Sequence, residues 1–165
     1  MPGSQRPSRP ERKPQVKGVT LVELVLVMLL IGILSVFVLP RLFDLGSFSA
    51  HGVFDGTEAA LRYARKEAYT SGCPVTVALA GGTLTLTQQA KCTSGGTIPV
   101  LAPSGSGPYT VIPPSGTSLV FQPAGPVVFD ALGGVGSPVT VDVSGGGFAG
   151  TLTVHAPSGF VSGSL

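Results

Sequence analysis

Residues 19–39 form one apolar run of 21 residues, interrupted only by Thr20, Glu23, Gly32 and Ser35. Coiled as an α-helix at 1.5 Å per residue, such a run is about 31 Å long, which matches a hydrocarbon core of about 30 Å. The sequence therefore predicts a membrane-spanning helix before any other element is considered. Glu23 is costly inside it. A charge at bilayer depth is disfavoured by about 2.5–3.5 kcal/mol on insertion scales, so a carboxylate kept there points to a function and to a partner.

The flanks orient this helix. Residues 1–18 carry Arg6, Arg9, Arg12, Lys13 and Lys17 against Glu11 alone, a net of +4, and contain Pro2, Pro7, Pro10 and Pro14. A leader with so little to bury does not pack, and a basic flank stays cytoplasmic. Everything after Gly18 holds five basic and seven acidic residues, a net of −2, so the overall +2 belongs to the leader. It does not describe a nucleic-acid-binding surface. At 165 residues, the part beyond the helix has room for one compact domain. The expected organisation is a cytoplasmic leader 1–18, a transmembrane helix 19–40, a helical connection 41–72 and a β-rich outer head 73–165.

Two simpler readings compete. A secretory signal has an apolar stretch of about 7–15 residues and then a small-x-small site. Ser47-Phe48-Ser49 before Ala50 offers a weak site of that kind, but the run is too long and Glu23 goes unexplained. A plain anchor fits the length and gives no reason for Glu23 or for Gly18. The string Lys17-Gly18-Val19-Thr20-Leu21-Val22-Glu23-Leu24 instead resembles the type IV prepilin signature. That resemblance implies cleavage after Gly18 by prepilin peptidase, N-methylation of the new terminus at Val19, and polymerisation through the helix. Val19 departs from the usual phenylalanine. Pro40 falls where pilin-like helices commonly carry a kink-forming proline; it removes a backbone donor and clashes with the carbonyl four residues earlier, so it is expected to kink or end the helix.

The physics of this site is simple. Glycine at position 18 lets the backbone extend into a protease cleft that a bulkier residue would obstruct. Cleavage would create a positive amino group at Val19, four residues from Glu23, and the carboxylate is expected to pair with it or with that of a preceding subunit. Opposite charges about 4 Å apart attract by about 4 kcal/mol at an effective dielectric near 20. That offsets the burial of Glu23 and fixes helix register, the best-attested use of a buried polar group.

Beyond the membrane, a second helix is expected from about Asp55 to Ser71. Asp55 and Glu58 read as its cap and Gly72 with Pro74 as its stop. Thr57, Ala60, Leu61, Ala64 and Ala68 form its apolar stripe, flanked by Arg62, Arg65, Lys66 and Glu67, with Glu58 placed to pair with Arg62; the charged edge is expected to be solvated, the alternative being contact with neighbouring subunits. For Phe43, Leu45 and Phe48 the sequence allows either a continued helix or an irregular connection. From Pro74 the period becomes alternating: residues 75–79 and 84–87 flank Gly81-Gly82, and residues 139–143 and 148–155 flank Gly145-Gly146-Gly147, both hairpin signals. Further strands are expected near residues 98–101, 109–112, 118–122, 127–130 and 160–162. Residues 102–107 read as low complexity without fixed structure. Cys73 and Cys92, both on the outer side, are expected to form a disulfide closing a loop of about 20 residues, worth roughly 3 kcal/mol in the chain-entropy model.

Residues 39–43, 59–68 and 73–77 look like minor pilins of the H-type pseudopilin superfamily, most similar to the C-type minor pilin of mannose-sensitive haemagglutinin pili. The resemblance covers about the first 80 residues and implies an α+β fold, type IV pilin-like, with a long N-terminal helix, a second helical portion and a C-terminal β-rich head. It implies a structural subunit of a type IV pilus or a type II secretion pseudopilus. Its partners would be other pilin or pseudopilin subunits, prepilin peptidase acting also as N-methyltransferase, and inner-membrane lipid. The chain would sit in the inner membrane with its head in the periplasm until assembly. Some relatives bind DNA through a basic tail; here residues 159–165 have no basic side chain and Lys91 is alone after Lys66, so nucleic acid is not expected. His51 and His155 are isolated and no catalytic, metal or cofactor motif appears, so neither enzyme activity nor a cofactor is expected. The alternative is a membrane-anchored binding module whose head recognises a surface, a sugar or DNA. Exposed aromatics would favour it, and most of Tyr109, Phe121, Phe129, Phe148 and Phe160 are expected in the core.

Overall fold

The structure is a computed structural model that describes residues 18–42 and 45–165, the side chains of residues 36–45 excepted. The leader therefore lies outside the described residues up to Lys17, as do the side chains of Pro40 and Arg41. The chain divides into two compact units, residues 1–43 and residues 44–165.

The first unit contains α1, Leu21–Leu42, of 22 residues. Pro40 does not end it: the helix continues for two more residues. Proline at 40 has no N–H to give the carbonyl four residues earlier, so the helix runs on to Leu42 with that one rung of the ladder missing. Among the described residues no helix is long and apolar enough to cross a membrane. The part of α1 whose side chains are described, residues 21–35, is shorter than the about 20 residues a crossing requires.

The second unit begins with α2, Leu45–Ser71, of 27 residues. It starts ten residues before the expected cap at Asp55, and the early portion is a continuous helix. Packing is the reason. Ala50, Val53, Phe54, Thr57, Ala60, Leu61, Ala64 and Ala68 are all buried, an unbroken stripe at helical spacing. Asp55 and Glu58 are therefore mid-helix, and Glu58 pairs with Arg62 at 2.6 Å. Gly72, at φ +66°, ends α2 in the left-handed conformation that suits glycine.

Nine strands follow in two antiparallel sheets. The first is ordered β3 (Thr97–Pro99), β2 (Thr83–Gln89), β1 (Val75–Ala80), β6 (Val127–Phe129), with β4 (Thr110–Val111) also on β2. The second is ordered β5 (Thr117–Gln122), β7 (Val139–Gly145), β8 (Phe148–His155), β9 (Phe160–Ser164). Both expected hairpins form. Ala80 pairs with Thr83 across Gly81-Gly82, and Gly145 pairs with Phe148 across Gly146-Gly147. All four turn glycines have positive φ, as a two-residue hairpin of this kind demands.

Alternation sends Val75, Val77, Leu84, Leu86, Val139, Val141, Val143, Leu152 and Val154 into one core beneath α2. Phe54 of α2 is seated on two glycines. A Cβ at Gly150 or at Gly163 would come within 2.8 Å of its ring. Close approach also fixes the second hairpin, since a Cβ at Gly146 would overlap the backbone of Gly46 and Ser47. Of the five head aromatics expected mostly in the core, Phe121 and Phe129 are buried, Tyr109 and Phe148 are partly buried against the core cluster, and Phe160 is exposed. Residues 102–107 depart from expectation. Ala102 N donates to Gly107 O at 3.0 Å and Gly105 N to Ala102 O at 2.8 Å, closing a defined turn because these small residues satisfy their own backbone.

Candidate functional site

The start of α1 is built by Thr20. Its Oγ1 accepts the Glu23 backbone N–H at 3.3 Å, and its carbonyl accepts the Leu24 N–H at 3.2 Å. Thr20 is thus the N-cap and Glu23 the third helical residue, the spacing of a capping box. The helix dipole favours a carboxylate in this first turn. The sequence carried this signal as Thr-x-x-Glu, and reading Glu23 only as a membrane anomaly missed it.

Val19 lies outside the helix, so the helical four-residue relation between Val19 and Glu23 is not formed in this structure. The Thr20 cap is the cause, because it terminates α1 on the near side of Val19. Gly18, Val19 and Glu23 are all exposed. Among the described residues, a Cβ at Gly18 would meet nothing within 4 Å. Among the described residues the Glu23 carboxylate has no ion-pair partner. Along α1 Ser35 Oγ donates back to the Ile31 carbonyl at 2.6 Å, satisfying its hydroxyl within the helix.

Cys73 and Cys92 are joined in a disulfide, with Cα atoms 4.5 Å apart and a sequence separation of 19. The bond ties the end of α2 to the loop that follows the first hairpin. Cys92 adopts a positive φ of 60°, which the loop accepts with Cys92 N donating to Gln89 O at 3.1 Å.

The histidines stay apart in role. The His51 ring lies 4.2 Å from that of Phe148, while His155 Nε2 is 2.8 Å from Ser162 Oγ. Among the described residues no group of three or more His, Cys, Asp or Glu side chains is placed to hold a metal. Asp142, on the outer face of the second sheet, accepts from Gln122 Nε2 at 2.7 Å and Thr151 Oγ1 at 2.8 Å. It is thereby engaged in the sheet. Tyr63 and Tyr109 stack at 5.2 Å, and Tyr63 donates to the Leu101 carbonyl at 3.1 Å. Burial, with the Glu67 carboxylate nearby, raises the Tyr63 phenol above its ordinary 10.0; burial, then Tyr63 itself, does the same for Tyr109.

Two family models match the sequence of this chain, one toward each end. One, described as type II transport protein GspH, matches residues 56–159, well over half of the chain. The other, described as a prokaryotic N-terminal methylation motif, matches residues 13–39. Among solved structures, the minor pseudopilin EpsH of the Vibrio cholerae type 2 secretion system is similar with TM-score 0.56 and 16% identity, over 70% of this chain and 94% of that one. The solution structure of E. coli GspH is similar with TM-score 0.55 and 19% identity, over 72% of this chain and 89% of that one. A comparison with curated proteins gives no match. At these identities the structural likeness speaks for the fold alone.

Proposed function

Because the chain belongs to the GspH family of type II transport proteins, we propose that it is a minor pilin or pseudopilin, processed after Gly18, N-methylated at Val19 and built into a filament through α1. The observation that carries this reading is Glu23: an exposed carboxylate without a partner among the described residues, at the capped start of an apolar helix and five residues past the Gly18 it would be cut at. Removing the leader supplies a cation where none stood. The Val19 amino group, on this chain or a preceding subunit, then becomes the counter-charge for Glu23, and the Thr20 cap holds the carboxylate at the helix end where that pairing occurs. Before assembly α1 anchors the chain in the inner membrane with the head outside. Of the two assemblies that fit, a type IV pilus and a secretion pseudopilus, the description of the family as type II transport favours the pseudopilus.

The role is structural and not catalytic. A membrane-anchored receptor is the competing reading, and Glu23→Ala separates the two. As a filament subunit the variant is processed and reaches the membrane, yet its recovery in the sheared filament fraction falls by at least tenfold, about the factor that 1.4 kcal/mol of lost pairing gives. Undiminished recovery of the variant in filaments would overturn the assembly role of Glu23.

A further inference from the structure

The basic side chains of the head are unevenly placed. Beyond residue 45 there are four, Arg62, Arg65, Lys66 and Lys91, and the first three fall within five residues of α2. With Tyr69 and Leu132 they line one depression of about 340 Å³. Arg62 is held by Glu58 at 2.6 Å, whereas Arg65 and Lys66 have no carboxylate within 4.0 Å among the described residues. Two free cations therefore stand beside two exposed apolar groups, Tyr69 at 69% and Leu132 at 82%, the most exposed large apolar side chain described.

Leu132 is presented by a braced loop. Asp130 Oδ1 accepts from both Leu132 N and Gly134 N at 2.8 Å, and Asp130 N donates to Gly134 O at 2.8 Å. Gly133 lies directly on α2: a Cβ there, at φ +76°, would be 3.1 Å from Arg65 Cγ and 3.2 Å from Arg65 O. A loop fixed by three hydrogen bonds that holds a leucine in water, next to unpaired cations, has the make-up of an interface centre without its partner.

We propose that Arg65, Lys66, Tyr69 and Leu132 form a docking face for an acidic segment, carrying an apolar side chain, of a different protein subunit. Charge complementarity sets the acidic character. Two free cations around an apolar centre are too few for a phosphate track, where each contact is a separate charge. The head of a second copy offers only a sparse acidic surface to such a face. Asp130 and Asp142 are hydrogen-bonded and Glu58 is paired, leaving in the described head only Asp55 and Glu67, twelve residues and about 18 Å apart along α2.

This face names a partner class for the assembled subunit proposed above and so rests on that reading. The test places a photo-crosslinking residue at position 132 of the full chain in cells that assemble the filament. Adduct formation and cleavage of the leader are scored on the same gel. The expected result is one discrete adduct to a different protein, reduced about tenfold by Arg65→Glu with Lys66→Glu and retained by Arg65→Lys with Lys66→Arg. No adduct, an adduct to a second copy, an adduct to lipid alone, or one indifferent to charge reversal overturns the docking face. Loss of leader cleavage overturns the subunit reading instead, and the two failures are read separately.

Discussion

Helix α1 and the head use apolar residues in opposite ways. In α1 the large apolar side chains described between Leu21 and Leu34 are all exposed, from 47% at Val27 to 80% at Leu21. In the head Leu61, Val75, Val77, Leu84, Phe129, Val141, Leu152 and Val154 are each at 0%. The head completes its own core. Helix α1 exposes apolar surface that its own described neighbours do not cover; on the function proposed above, a bilayer and then neighbouring helices would cover it. Glu23 is the single carboxylate at the start of this helix, and the proposed assembly role rests on it.

If the two regions are independent in this way, damage to the head's core should leave the α1 chemistry intact. Phe129→Ala is the largest such lesion. Truncating a fully buried aromatic costs about 3–5 kcal/mol, read as a lowered urea midpoint, while cleavage after Gly18 proceeds as in the parent. Loss of cleavage in a variant that still folds would break the separation. A smaller effect comes from Cys73→Ser, which opens the loop to Cys92. Stability should fall by roughly 3 kcal/mol in the chain-entropy model, and reductant should have the same effect on the parent and none on the variant. The mildest lesion is alkaline. Burial raises Tyr63 and Tyr109 above 10.0 in the folded head. Their contribution is complete below the unfolded value of 10.0 and is lost as pH rises through the raised folded values. The thermal midpoint should therefore decline above pH 10 in the parent and decline less in Tyr109→Phe, as a scan of midpoint against pH would record.

Legibility in the sequence followed the range of the interactions. Both hairpins could be read because Gly81-Gly82 and Gly146-Gly147 sit between alternating runs, and the turn conformation depends on those residues alone. The stripe from Thr57 to Ala68 was legible for the same local reason. The first ten residues of α2 were not. Gly46, Gly52 and Gly56 lower local helix propensity, and what holds that portion is the seat of Phe54 on Gly150 and Gly163, far away in sequence. Pairings that split the strands into two sheets, with β6 returning to β1 and β5 to β7, are likewise set by long-range packing. At the candidate site, Glu23 stood out as the one acid in an apolar run, and Gly18 and Val19 through resemblance to the prepilin signature. The Thr20 cap was equally local and is a structural role that the functional reading of Glu23 obscured. Leu132 could not have been found, because its meaning depends on the Asp130 brace and on Arg65 lying beneath Gly133.

On the function proposed above, α1 is incomplete until the chain is cut. The most direct measurement is the intact mass of the protein recovered from cells, for the parent and for Gly18→Trp. The parent is expected to begin at a methylated Val19, and the variant, whose indole would obstruct the cleft, to retain its leader from Met1. A parent that still begins at Met1, or a variant processed as efficiently as the parent, would contradict it.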